Sequence, residues 1–244
     1  MRKERLLLIN EIDSRAKDIV LKFAQGKQIS KDVLSTIAEL YSSAQVERDL
    51  KDEYFQTAYH TPVTGELELF IARILYHFSI ANSLRWVVLL RKQELSTAPD
   101  IRLVRGSETI SIIEIKAKGG WIQPFLSPDR YASDMKKHTN GKEYNPESTV
   151  KGQRNQISKY ISTFNISKND IYFFLPTLAL VHRKKYKTEL QGYYEYFSQT
   201  SELSPQNFIL LSENKRLDLA YKPDLNDLQP TTNFERMLNE LQNK

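Results

Sequence analysis

The stretch from Ala98-Pro99-Asp100 to Glu114-Ile115-Lys116 restricts the fold more than any other part of the chain. Asp100 to Arg105 alternates roughly polar with apolar residues, and Gly106-Ser107-Glu108 has the composition of a turn. From Thr109 to Ile115 every residue except Ser111 and Glu114 is β-branched. The pattern predicts an antiparallel hairpin. With the turn centred on Ser107, Asp100 lies seven residues before it and Glu114 seven after it, so the two carboxylates are expected opposite each other. Their Cβ atoms would then be about 5 Å apart. A slip of one residue in register would move one of them to the other face. Glu114 and Lys116 share a face, while Ile113 and Ile115 point the other way into a core.

Two carboxylates about 4 Å apart repel by roughly 4 kcal/mol at an effective dielectric of about 20, so a fold that pairs them needs a compensating charge. A divalent cation supplies it. Oxygen ligands from Asp100 and Glu114, with the carbonyl of Ile115, suit Mg²⁺, which keeps several waters and uses few protein carboxylates; Mn²⁺ is expected to substitute. Lys116 beside them would orient or deprotonate an attacking water, or neutralise charge growing on a phosphate. This is the chemistry of phosphodiester hydrolysis.

At these residues the chain resembles the PD-(D/E)xK nuclease superfamily, whose fold is restriction-endonuclease-like. Pro99-Asp100, thirteen intervening residues and Glu114-Ile115-Lys116 match its signature in order, spacing and hairpin context. Other Pro-Asp pairs and acid-x-Lys triplets occur, such as Asp49-Leu50-Lys51, Asp134-Met135-Lys136 and Glu213-Asn214-Lys215, none suitably placed after a Pro-Asp. The resemblance implies that Asp100 and Glu114 hold metal and that Lys116 assists the water. It also implies an acidic residue on the helix before the hairpin, for which Glu68 is favoured and Glu66 is second. Gln156 and Tyr160 match a Q-xxx-Y element found beside the active centre in some branches of the superfamily. The expected fold class is α/β, with a restriction-endonuclease-like core of mixed β-sheet flanked by helices and an N-terminal helical extension. The resemblance covers residues of about 62 to 175, giving a helical extension over 1–60 and a nuclease-like domain over 61–244. A small chain with its own terminal elaborations looks most like a type II restriction endonuclease, a homodimer cutting duplex DNA at a specific sequence. A structure-selective or repair nuclease of junction-resolvase type is the alternative among enzymes, and a non-catalytic DNA-binding module with this fold is the alternative outside them.

Composition narrows the classes further. A net charge of +5 fits a polyanionic partner, and the absence of cysteine excludes disulfide scaffolds and thiolate metal sites. No segment approaches the ~20 apolar residues of a membrane span, so no membrane partner is expected, and the short apolar run Leu6 to Ile9 falls short of a secretory segment. The chain reads as cytoplasmic. His60, His77, His138 and His182 show no metal-ligand spacing, and no glycine-rich phosphate loop or Ser/His/Asp arrangement is visible.

Apolar periodicity predicts helices over 3–24, ended by Gly26, over 30–41, with Ser30 as N-cap, and over 64–78. Trp86 to Leu90 reads as the first strand, with Arg91 and Lys92 at its end as a solvated edge. After Lys116 the stretch from about 122 to 149 is poor in aliphatics and reads either as a long substrate-recognition loop or as a plain disordered insertion. Lys118, Arg130, Lys136 and Lys137, in or near that loop, are candidate DNA contacts, as are Lys151 and Arg154 near the start of a helix over 151–164. Strands are expected at 171–175 and 208–211, with further ones at 178–181 and 217–221. Arg183, Lys184, Lys185 and Lys187 form a basic cluster, residues 190–197 read as helical, and a helix over 233–241 closes the chain.

Overall fold

The computed structural model describes residues 2–43, 64–95, 97–116, 146–176, 204–213 and 225–244, without the side chains of residues 2, 4, 43, 64, 146–154 and 205. The segments expected at 178–181, 183–187, 190–197 and 217–221 lie outside the described residues.

Helix α1 (Arg2–Ala24) ends where glycine permits it. Gly26 has φ +73°, its N–H donates to the Phe23 carbonyl at 2.8 Å and the Lys27 N–H to the Lys22 carbonyl at 3.1 Å, the paired closure of a Schellman cap. Helix α2 (Ser30–Ser43) is capped differently from expectation. Ser30 is its first residue, and its N–H and that of Ile29 just before it donate to the Glu235 carboxylate, from the far end of the chain, at 2.7 and 2.9 Å. The Ser30 hydroxyl donates to the same carboxylate. Helix α3 (Thr64–Ala81) packs along α1, with the Phe23 and Phe78 rings 5.8 Å apart. Asp13 on α1 closes the seam by accepting from Arg73 and facing His77 Nε2 at 2.7 Å.

Five strands form one mixed sheet in the order β1-β2-β3-β4-β5. β1 (Val87–Leu90), β2 (Ile101–Arg105) and β3 (Glu108–Ile115) are antiparallel neighbours; β4 (Ile171–Leu175) and β5 (Phe208–Leu210) continue the sheet in parallel. The succession of helix, three strands, helix and strand agrees with the sequence expectation. The connection from β3 to parallel β4 contains helix α4 (Pro146–Phe164), and α5 (Asn233–Gln242) closes the chain against β5. Helix α4 begins five residues before the expected start, so residues 146–149 of the expected loop are its first turn. Proline at the first helical position, where no intrahelical N–H bond is needed, explains the earlier start. Lys151 therefore sits in the second turn rather than at the helix end.

The sheet has two covered faces. Ile101, Leu103, Ile113, Ile115, Tyr172, Phe174 and Ile209 join α1, α2, α3 and α5 in one apolar core, with Phe174 edge-on to Phe234 at 5.8 Å. Arg102, Ile112, Glu114 and Phe173 lie on the opposite face with α4, where Arg102 stacks over the Phe164 ring at 4.4 Å. Helices α1 and α2 thus share a core with the sheet. Among the described residues no helix is long and apolar enough to cross a membrane.

Candidate active site

The hairpin makes the carboxylate pair, by a route that involves a bulge. Its turn holds two residues, Gly106 and Ser107, between the paired Arg105 and Glu108. Gly106 has φ +62°, which the first central position of such a turn favours in glycine. Continued without interruption, that register would set Asp100 opposite Ile113 and leave Glu114 on the other face. Instead Val104 pairs with Thr109 and Leu103 with Ser111, so Ile110 is an inserted residue and the register shifts by one. Ile101 then faces Ile113, and the next pair outward is Asp100 with Glu114.

Backbone and side chains interlock there. The Ile115 N–H donates to Asp100 Oδ2 at 2.8 Å, and the Asp100 N–H reaches Glu114 Oε1 at 3.4 Å. Ile115 buries its side chain in the core. Glu114 is only 3% exposed and is supplied with donors from three sides. Lys116 Nζ donates to Oε2 at 3.1 Å, Gln156 Nε2 to Oε2 at 3.2 Å, and the Tyr160 hydroxyl to Oε1. Gln156 also donates to the Tyr160 oxygen at 2.7 Å, which leaves the phenol proton for Glu114. Burial, then the charge of Glu114, raises the Tyr160 pKa well above its ordinary value, so the phenol stays a donor. Both residues of the Q-xxx-Y element therefore touch the acid. Tyr160→Phe removes a donor from a buried carboxylate and is expected to lower stability by about 1–2 kcal/mol in urea unfolding, with Gln156 retained beside it.

Both candidate acids of the preceding helix are on α3: the Glu68 side chain is 3% exposed and pairs with Arg91 Nε, while Glu66 turns to Arg5 on α1. Glu68 is near enough to Asp100 that its charge adds to the forces holding the Asp100 proton. Arg91, expected as a solvated edge, is instead part of this site: its N–H donates to the Asp100 carbonyl at 2.9 Å and its guanidinium neutralises Glu68. Only a pairing distant in sequence reveals it, because nothing in Leu90-Arg91-Lys92 differs from an ordinary strand end.

Charge is unevenly compensated here. Arg91 serves Glu68 and Lys116 serves Glu114, whereas among the described residues no cation forms an ion pair with Asp100, whose bond is to a backbone N–H. Burial first, and the neighbouring Glu114 charge second, push the Asp100 pKa up from 3.8 to about 6. A carboxylate so placed suits a hard divalent cation, which favours oxygen ligands. Among the described residues no group of three His, Cys, Asp or Glu side chains converges as a ready chelate. Of the candidate DNA contacts, Lys118, Arg130, Lys136 and Lys137 lie outside the described residues; Lys151 and Arg154 lie on α4, with their side chains outside the description.

Comparison with models of protein families, with curated proteins and with solved structures finds no match to this chain.

Proposed function

We propose that this chain is a divalent-cation-dependent phosphodiesterase, and the observation that carries the reading is the partly buried Asp100 carboxylate, opposite Glu114 and in no ion pair among the described residues. More particularly, it is a DNA endonuclease of the PD-(D/E)xK type with a restriction-endonuclease-like core. The order of its elements, the hairpin carrying Asp100 and Glu114-Ile115-Lys116, and the contacts of Gln156 and Tyr160 with Glu114 all favour that assignment. A net charge of +5 favours a polyanionic substrate.

In this reading Asp100, Glu114 and the carbonyl of Ile115 would hold Mg²⁺, or Mn²⁺ in its place, with Glu68 in reserve beside Asp100. A bound cation there would act as a Lewis acid on the phosphate and make a bound water more acidic. The chain's own groups do the rest. Gln156 and Tyr160 fix the Glu114 carboxylate so that its oxygens face Asp100 and Lys116. Lys116, which donates to Glu114, has its ammonium beside the acids, where it would orient an attacking water or neutralise charge on a phosphate oxygen. The proposed enzyme acts as a cytoplasmic homodimer cutting both strands of duplex DNA, as a type II restriction endonuclease does.

Incubation of long duplex DNA with the protein and Mg²⁺ is expected to give discrete fragments, and none with EDTA or with Lys116→Ala. Ragged trimming or cleavage of branched DNA alone would replace the restriction reading with a repair or junction nuclease. Cation-independent duplex binding with no cleavage of any nucleic acid would leave a binding module.

A further inference from the structure

We propose that Arg91 is a substrate-phosphate contact of this site, stored on Glu68 in competition with the divalent cation; the inference rests on the phosphodiesterase reading above. The Arg91–Glu68 pair is lopsided. The glutamate side chain is 3% exposed, whereas that of Arg91 is 54% exposed. Only Nε bonds to Glu68; among the described residues the two terminal nitrogens have no hydrogen-bond partner, and they lie 3.9 and 4.0 Å from where a Cβ on Gly65 would stand. The planar fork therefore keeps its outer donors for another acceptor, and this geometry matches two oxygens of a phosphate.

Its backbone places it at the chemistry. Arg91 directly follows β1 with φ +48°, a conformation in which glycine or asparagine would sit with less strain, and its N–H bonds to the carbonyl of Asp100. The guanidinium feels the charges of Glu68, Asp100 and Glu66 together. Arg91 and Lys116 thus stand as two cations on the two acids beside Asp100. A divalent cation drawn to the same acids weakens the hold of Glu68 on Arg91, and a nearby phosphate receives the freed Nε donor as well as the outer two. The arrangement gives Arg91 opposite effects on the two ligands. It repels the cation and attracts the phosphate.

The test measures both in cleavage-free conditions. Mn²⁺ affinity is read by electron paramagnetic resonance at about pH 8, where carboxylates are ionised, and duplex affinity by fluorescence anisotropy in Ca²⁺ over a salt series. Arg91→Ala is expected to bind Mn²⁺ about three- to tenfold more tightly, through loss of a nearby positive charge. It should bind duplex about tenfold more weakly, with the slope of log affinity against log salt reduced by about 1. Arg91→Lys should keep the slope, because a charge remains, while losing affinity with the fork. Arg91→Gln, which retains a side-chain amide to bond Glu68, serves in the same way should the alanine variant fail to fold. Unchanged Mn²⁺ and duplex binding would overturn the proposal, and so would a parallel loss of both, which would make Arg91 a prop for Glu68 alone. Wild-type protein that binds Mn²⁺ and duplex yet cuts no DNA would instead remove the nuclease reading, with the Arg91 contact still decided by the two affinities. Wild-type protein that binds no Mn²⁺ would remove both.

Discussion

Asp100→Asn is expected to raise the melting temperature of the cation-free protein at neutral pH while abolishing Mg²⁺-dependent cleavage. The Asp100 carboxyl is pushed up from 3.8 to about 6 by burial and by Glu114. Because the folded-state value lies above the unfolded one, the proton favours the native state: its stabilisation is fully present below about pH 4 and is lost as pH rises through about 6. The full shift corresponds to about 3 kcal/mol, which partial exposure reduces to about 1–2 kcal/mol. Asparagine keeps an oxygen for the Ile115 N–H and carries no charge, so it retains the bond and removes the repulsion. The variant should melt about 2–6 °C higher near pH 7, with the difference vanishing by about pH 4. Cleavage should fall at least about a thousandfold, since a cation ligand and its charge are both lost. Mn²⁺ affinity of the wild type should rise through about pH 6 and that of the variant should stay low. Calorimetry of both proteins over a pH series decides it. A variant that melts lower than wild type at neutral pH would show that the carboxylate is structurally satisfied and would remove the argument for a cation there.

Much of this site was legible in the sequence because a strand alternates with a period of two residues. Counting outward from Ser107 places Asp100 opposite Glu114, and the structure has that pair. The reason differs from the count. A two-residue turn alone would have misaligned the acids, and the insertion of Ile110 restores them. β-Branched residues announce a strand but carry no mark for a bulge, which is a property of how two strands meet. Local chemistry was readable where it is decided locally. Gly26 ends α1 because of its own backbone freedom, and the apolar stripe of Leu67, Phe70, Ile71, Ile74, Leu75 and Phe78 defines a helix face that is buried. What could not be read were charges neutralised across the fold. The Arg91–Glu68 pair joins a strand end to a helix start, and Arg102, which looks like an exposed strand residue, is 7% exposed, paired with Glu94 and laid on Phe164. Helix propensity likewise assigned the cap of α2 to Ser30. The group that caps it is Glu235, 205 positions away.

Glu235→Ala is expected to cost substantial stability at a place remote from the acid pair. The Glu235 carboxylate is 9% exposed and takes the N–H groups of Ile29 and Ser30 at 2.9 and 2.7 Å together with the Ser30 hydroxyl. A carboxylate at a helix start both satisfies orphan donors and opposes the positive end of the helix dipole. Alanine strands those donors in a buried seam, beside Ile29, Val33, Leu34 and Ile37, which are fully buried. A lost cap accounts for about 1–2 kcal/mol, and leaving the buried donors unpaired adds about 1–2 kcal/mol more. Urea unfolding should therefore show a loss of about 2–4 kcal/mol, with Glu235→Gln losing about 1 kcal/mol because an acceptor oxygen remains. Ser30→Ala, which removes one hydroxyl and leaves both N–H bonds, should fall below Glu235→Ala. Cleavage by the folded fraction should be unchanged, since the seam joins α2 to α5 and contributes no group to the acid pair. If Glu235→Ala unfolded within about 0.5 kcal/mol of wild type, the α2 start would have to be satisfied by water. The contact would then be incidental, and the docking of α5 would rest on Phe234, Met237, Leu238 and Leu241, all buried, alone.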